Sequence, residues 1–126
     1  MAAGVGTCSI VGSGSGNNAS GDCSFSGGGS GNSATNFYST IAGGKGNTAS
    51  GRYNFIGSGY YNLASGYESF IGAGACNQAS CNGTVVVGGT CNTASGGYNA
   101  FVGNGYKNSA SNTYSCLLYT SPSPRD

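Results

Sequence analysis

Histidine and tryptophan are absent from the 126 residues, prolines number two, and charged side chains make up only 6% of the chain. Each shortage removes a class of function. Without histidine there is no imidazole to move protons near neutral pH or to ligate zinc. Two carboxylates, Asp22 and Glu68, fall inside the patterned part of the chain. At one strand spacing per repeat they lie about 14 Å apart along the axis, too far for a general acid/base pair. Serines are plentiful, yet a nucleophilic serine needs a base and an orienting group, so neither catalysis nor a cofactor is expected. Lys45, Arg52 and Lys107 are too few, and too mixed with carboxylates, to follow a phosphate backbone; no nucleic-acid partner is expected. Long apolar runs are missing as well. No segment has transmembrane length, and MAAGVGTC carries neither the basic nor the apolar stretch of a secretory signal.

What is present is a rhythm. Gly14, Gly29, Gly44, Gly59, Gly74, Gly89 and Gly105 recur every 15 residues, with a last step of 16. Three residues after each comes asparagine (Asn17, Asn32, Asn47, Asn62, Asn77, Asn92, Asn108), and two later alanine (Ala19, Ala34, Ala49, Ala64, Ala79, Ala94, Ala110). A hydroxyl follows every alanine: Ser20, Thr35, Ser50, Ser65, Ser80, Ser95 and Ser111. Four columns at one unbroken interval mark a repeat array, with one supersecondary unit per repeat. Such phasing excludes disorder, and glycine does not fall at every third place as collagen requires.

The apolar pairs Ile10-Val11, Phe55-Ile56, Phe70-Ile71, Val85-Val86 and Phe101-Val102 are β-formers between glycine-rich corners and too short for helices. A second short strand is expected through the N-x-A-S segment. Glycine supplies positive φ at the corners, and asparagine tolerates the same conformation while bonding locally. The expected fold is all-β: a parallel β-solenoid of about seven 15-residue coils, each with two short strands. Residues 1–8 read as a partial first repeat or cap, 9–115 as the array. The extra residue of the last unit is expected as a bulge near Ala100 or Phe101. Residues 116–126 match no column, contain both prolines, and resemble the translation of a sequencing adapter; they are set apart as a non-native, disordered tail.

Neighbours on a strand face opposite sides, so each apolar pair directs one member inward and one outward. An interior lined by alanine and glycine is narrow, and the outward members form a continuous apolar stripe. Burying about 100 Å² per coil at about 25 cal/mol per Å² contributes roughly 2.5 kcal/mol per coil, which favours self-association. The alternative places both members in a distorted interior.

Cys8 and Cys23 share a column in successive coils, as do Cys76 and Cys91, which makes each pair a candidate disulfide. Parallel Cβ vectors hold such neighbours apart, so stacked free thiols are the alternative. No C-x-x-C spacing supports zinc. The Ser20 column is expected to hydrogen-bond between coils. Tyr38, Tyr53, Tyr98 and Tyr114 read as one column, with Tyr60, Tyr61 and Tyr106 beside it: a stacking ladder, or a contact for sugar or protein. Asn18-Ala-Ser20 and Asn82-Gly-Thr84 fit the glycosylation sequon, a pattern frequent by chance in such a composition.

The unit Ser69-Phe70-Ile71-Gly72-Ala73-Gly74, followed by Ala79-Ser80 and repeated over most of Cys8 to Ser115, resembles the head repeats of YadA-type trimeric autotransporter adhesins. The asparagine-bearing version is similar to repeats in phage tail fibres and other viral surface proteins. The resemblance implies a left-handed β-roll and a homotrimer joined through outward apolar columns. It also implies a place on a cell or virion surface, and a host-surface protein or glycan as partner. The six cysteines, the asparagine column and the absence of a stalk, anchor or chaperone sequence depart from the adhesin pattern. The functional expectation is a structural or adhesive segment of a trimeric surface or tail fibre. The rival is an ice-binding solenoid, which requires matched hydroxyl columns; beside the dependable one runs Asn18, Ser33, Thr48, Leu63, Gln78, Thr93 and Ser109.

Overall fold

A computed structural model describes residues 3–118, and within them the fold is all-β without a helix. Sixteen two-residue strands run from β1 (Ala3–Gly4), β2 (Ile10–Val11) and β3 (Asn18–Ala19) to β14 (Phe101–Val102), β15 (Ser109–Ala110) and β16 (Cys116–Leu117). Odd-numbered strands form one parallel sheet and even-numbered strands a second, each pairing with the equivalent strand one repeat away. Phe70 pairs with Phe55 and Val85, and Gln78 with Leu63 and Thr93, so one repeat makes one coil of a β-solenoid of about seven turns. A third ladder of single-residue bridges, Ser15, Ser30, Lys45, Tyr60, Ala75, Thr90 and Tyr106, forms between the two sheets.

The interior follows from strand alternation. Ile41, Ile56, Ile71, Val86 and Val102 on the even-numbered strands face the alanine column on the odd-numbered ones, and all are fully buried. Both members of an apolar pair do not turn inward: Phe55 and Phe70 remain 37% and 38% exposed beside their buried isoleucines.

The asparagine column closes the corner between the bridge ladder and the odd-numbered strands. Asn62 Nδ2 donates to the carbonyls of Ser58 (3.2 Å) and Gly74 (2.9 Å), while its Oδ1 accepts the Asn77 N–H at 2.9 Å. Asn47 and Asn77 repeat the arrangement, and Asn17 and Asn32 begin it. Each side chain is thus saturated while buried, the condition under which a polar group is tolerated in an interior. The column asparagines themselves are not among the left-handed residues. At this corner positive φ falls instead on Gly14 and its column, between 86° and 115°, and on the column of Gly16 just before the asparagine. A Cβ on Gly59 would stand 2.0 Å from the Gly74 carbonyl oxygen, so the next coil's backbone leaves no room for one.

Four expectations need correction. The extra residue is not a bulge near Ala100 or Phe101: Ala79 pairs with Ala94, a step of 15, whereas Asn82 already bridges Tyr98, a step of 16. The shift is therefore absorbed at the Gly96-Gly97 corner, where it does not invert the inward and outward faces of a strand. Tyr98 consequently leaves the Tyr38 column and stands with Phe37, Arg52, Tyr67 and Asn82. The hydroxyls of the Ser20 column form no bonds between coils; their backbone N–H groups do, as from Ser65 to the Ala79 carbonyl at 2.9 Å. Lastly, Cys116–Leu117 lies past the array boundary drawn at Ser115, yet pairs with Phe101–Val102, because an apolar dipeptide meets the open edge in register. The rest of the proposed tail, 119–126, lies outside the described residues.

Two substitutions test this interior. Ser26 occupies an isoleucine place in the buried column, with its hydroxyl unpartnered. Ser26→Val is expected to raise the unfolding free energy in urea by about 1–3 kcal/mol. Asn62→Leu strands the Asn77 N–H and the Ser58 carbonyl, while the Gly74 carbonyl keeps the Tyr60 N–H, and is expected to cost about 2 kcal/mol or more; an unchanged urea midpoint would contradict the ladder's role.

Candidate interaction surfaces

Three groups of side chains project from the coils, and the sheet alternation or a corner accounts for each. On the even-numbered sheet the outward places are Ile10, Phe25, Thr40, Phe55, Phe70, Val85, Phe101 and Cys116, stacked in register. The Phe55 and Phe70 rings lie nearly parallel, with centroids 5.4 Å apart. Each ring also extends along its own strand over a glycine: Phe70 Cε1 would stand 3.4 Å from a Cβ on Gly72, and Phe25 Cε1 3.0 Å from one on Gly27. Small neighbours let the rings lie flat, so the face is smooth as well as apolar.

The second group stands on the corner leading into that sheet. Tyr38 and Tyr53 stack at 5.1 Å with rings 3° from parallel, Tyr67 meets Tyr53 edge-on at 5.6 Å, and the Arg52 guanidinium lies 5.0 Å from the Phe37 ring centroid. Both the stacking and the cation over the ring are favourable geometries. The corner is a turn closed by bonds such as Ser39 N–H to the Asn36 carbonyl at 3.2 Å, and its third residue has φ near 57°: Cys8, Cys23, Tyr38, Tyr53, Glu68 and Tyr114. A turn with positive φ at that place favours glycine or asparagine, as at Gly83 and Asn99.

The third group stands on the corner before the asparagine column. Gly16, Gly31, Gly46, Tyr61, Cys76, Cys91 and Lys107 share a left-handed φ between 55° and 66°. The Tyr61 ring folds back over Gly46, where a Cβ would meet it at 2.7 Å, and the Lys107 ammonium lies 5.0 Å from the Tyr106 ring centroid. The ring's hydroxyl and its charge hold the lysine pKa above its ordinary value. The sequence does not advertise these left-handed places as such. Gly16, Gly31 and Gly46 at the head of one column, and Gly83 alone in the other, are the signals that mark them.

All six thiols are free, so neither Cys8 with Cys23 nor Cys76 with Cys91 is bridged. Among the described residues no pocket opens and no three of histidine, cysteine, aspartate and glutamate gather around a common point. Asp22 is engaged in accepting the Thr7 N–H at 2.8 Å. The chemistry on offer is association through extended apolar, aromatic and thiol-bearing strips. No protein-family model, curated protein or solved structure matches the chain.

Glu68 bears the strain of its corner without stacking against another ring. Glu68→Gly, at φ 55°, is expected to stabilise the fold by up to about 1 kcal/mol, whereas Tyr53→Ala keeps the strain, loses two ring contacts and is expected to destabilise it by about 1 kcal/mol or more. Urea midpoints of opposite sign for the two variants check this.

Proposed function

We propose that the chain is a structural and adhesive segment of a homotrimeric surface or tail fibre, in the manner of the YadA-type and viral fibre repeats that its sequence resembles. The observation that carries the reading is the outward column from Phe25 to Phe101, apolar at every place but Thr40, along one side of the solenoid. Side-by-side copies in register would bury that strip, and exposed apolar strips of such extent mark interaction surfaces. Parallel assembly places identical residues next to one another, which costs little when the array carries five charges. The tyrosine corner from Phe37 to Tyr67 then stays outside as the surface for a host protein or glycan, since rigid amphipathic rings supply contact area at low entropic cost. A place on the outside of a cell or virion suits a neutral, glycine-rich rod of this kind.

Ice binding has less support. Its face would be the outward column of the odd-numbered sheet, where Leu63 and Gln78 interrupt the hydroxyls at the centre of the array.

Light scattering on the purified chain tests the assembly. The expected mass is that of a trimer, and Phe55→Ser combined with Phe70→Ser is expected to yield monomer or aggregate. A wild-type chain that stays monomeric at tens of micromolar would count against the fibre. The same protein is expected to show no thermal hysteresis and no faceting of ice; faceting abolished by Ser65→Tyr with Ser80→Tyr would favour the rival.

A further inference from the structure

Cys76 and Cys91 occupy the same place in successive coils, at φ 55° and 56°, with Cys76 exposed and Cys91 half-buried. Their backbones are held in register on both sides. Ala75 bridges Thr90, and Gln78 pairs with Thr93. Equal backbone conformation makes the two Cα–Cβ directions parallel, so the Cβ atoms are separated by roughly the coil spacing of about 4.8 Å. A disulfide prefers about 3.5–4.5 Å between Cβ atoms and would have to draw two hydrogen-bonded coils together. A metal ion bound by both sulfurs along a line needs no such movement, since two bonds of about 2.3 Å span about 4.6 Å. Zinc is unsuited, because it takes four ligands and no third candidate ligand gathers with this pair. Soft thiolates with low coordination number select cuprous ion and its chemical analogues.

We propose that Cys76 and Cys91 form a two-coordinate clip for a soft monovalent cation of the cuprous class, with Lys107 as its charge-compensating neighbour. Both thiols lose their protons to solvent, two metal–sulfur bonds form, and no electron is transferred. Two thiolates and one monovalent ion leave one net negative charge. Lys107 follows Cys91 in the same column, at the same left-handed φ of 55° and with its N–H bonded to the Thr90 carbonyl at 3.0 Å, which places a cationic side chain one coil beyond the pair. Tyr61, the next residue down the column, leans away over Gly46 and leaves the approach to Cys76 open.

Cys8 and Cys23 serve as an internal comparison. They are also stacked, at φ 58° and 56°, but Asp22 adjoins Cys23 and accepts the N–H of Thr7, the residue before Cys8. A carboxylate spans the two coils where the other site has an ammonium, so an anionic bis-thiolate is disfavoured there.

The reduced full chain titrated with Ag(I), a redox-inert member of the class, and then with Cu(I) under argon tests the clip. One tight ion per chain is expected, with X-ray absorption showing two sulfur neighbours. Tight binding should be lost in Cys76→Ser and in Cys91→Ser, retained in Cys8→Ser, and weakened by about tenfold in Lys107→Ala. Zn(II) should bind weakly. Equal binding by wild type and Cys76→Ser, loss of the tight site in Cys8→Ser, or three or more sulfur neighbours would overturn the proposal. So would the loss of two titratable thiols in air without metal, blocked by Cys76→Ser, which would assign the pair to a disulfide instead.

Discussion

The constraint on which the solenoid depends is that a chain turning every few residues must satisfy its corner carbonyls without regular secondary structure. The asparagine column does this at one corner of every coil. An Nδ2 group reaches back four residues and across to the next coil's glycine, while Oδ1 receives the next asparagine's own N–H. The glycines beside it are set by the same closeness, since the carbonyl of the following coil occupies the space of any Cβ. Corner and spacing are therefore one device, and the sheets are extensions of it on either side.

A corner this tight makes a thin interior. Alanine on one wall faces isoleucine or valine on the other, with serine at Ser26 and leucine at Leu117. The consequence for function is compositional: a sequence rich enough in β-formers to hold its strands has more apolar side chains than the interior accepts, and alternation sends the surplus outward. Phe55 and Phe70 are outside because Ile56 and Ile71 are inside. The same economy leaves the corners as the places where aromatic and thiol-bearing residues stand clear of the rod.

Legibility in the sequence follows from how many neighbours constrain a position. The Asn77 and Ala79 columns are each bound to the coils above and below, so their period alone reveals coil, strand and facing. Corner positions are less constrained. Tyr98 looks like a member of the Tyr38 column when counted from the strand before it, but the extra residue falls at Gly96-Gly97 and moves it by one place. The left-handed conformation at Cys76, Tyr53 and Lys107 was hidden because bulky residues rarely adopt it, and only in this setting is the strain held by ladders on both sides. The hydroxyl column misled in another way: its regularity reflects a place after the strand, where backbone pairing matters and the side chain bonds to no neighbouring coil.

A chain of near-identical coils has an ambiguity that ordinary domains lack, because any coil could settle on its neighbour's partner, one repeat out of phase, with almost every pairing intact. The extra residue at Gly96-Gly97 breaks that degeneracy. In the native alignment the 16-residue coil meets its 15-residue neighbours with the mismatch housed at the Gly96-Gly97 corner, and a slip of one repeat would move the mismatch to a corner that lacks the extra residue. Such an irregularity serves as an index mark, which gives a repetitive thread one way of counting where along itself it has folded.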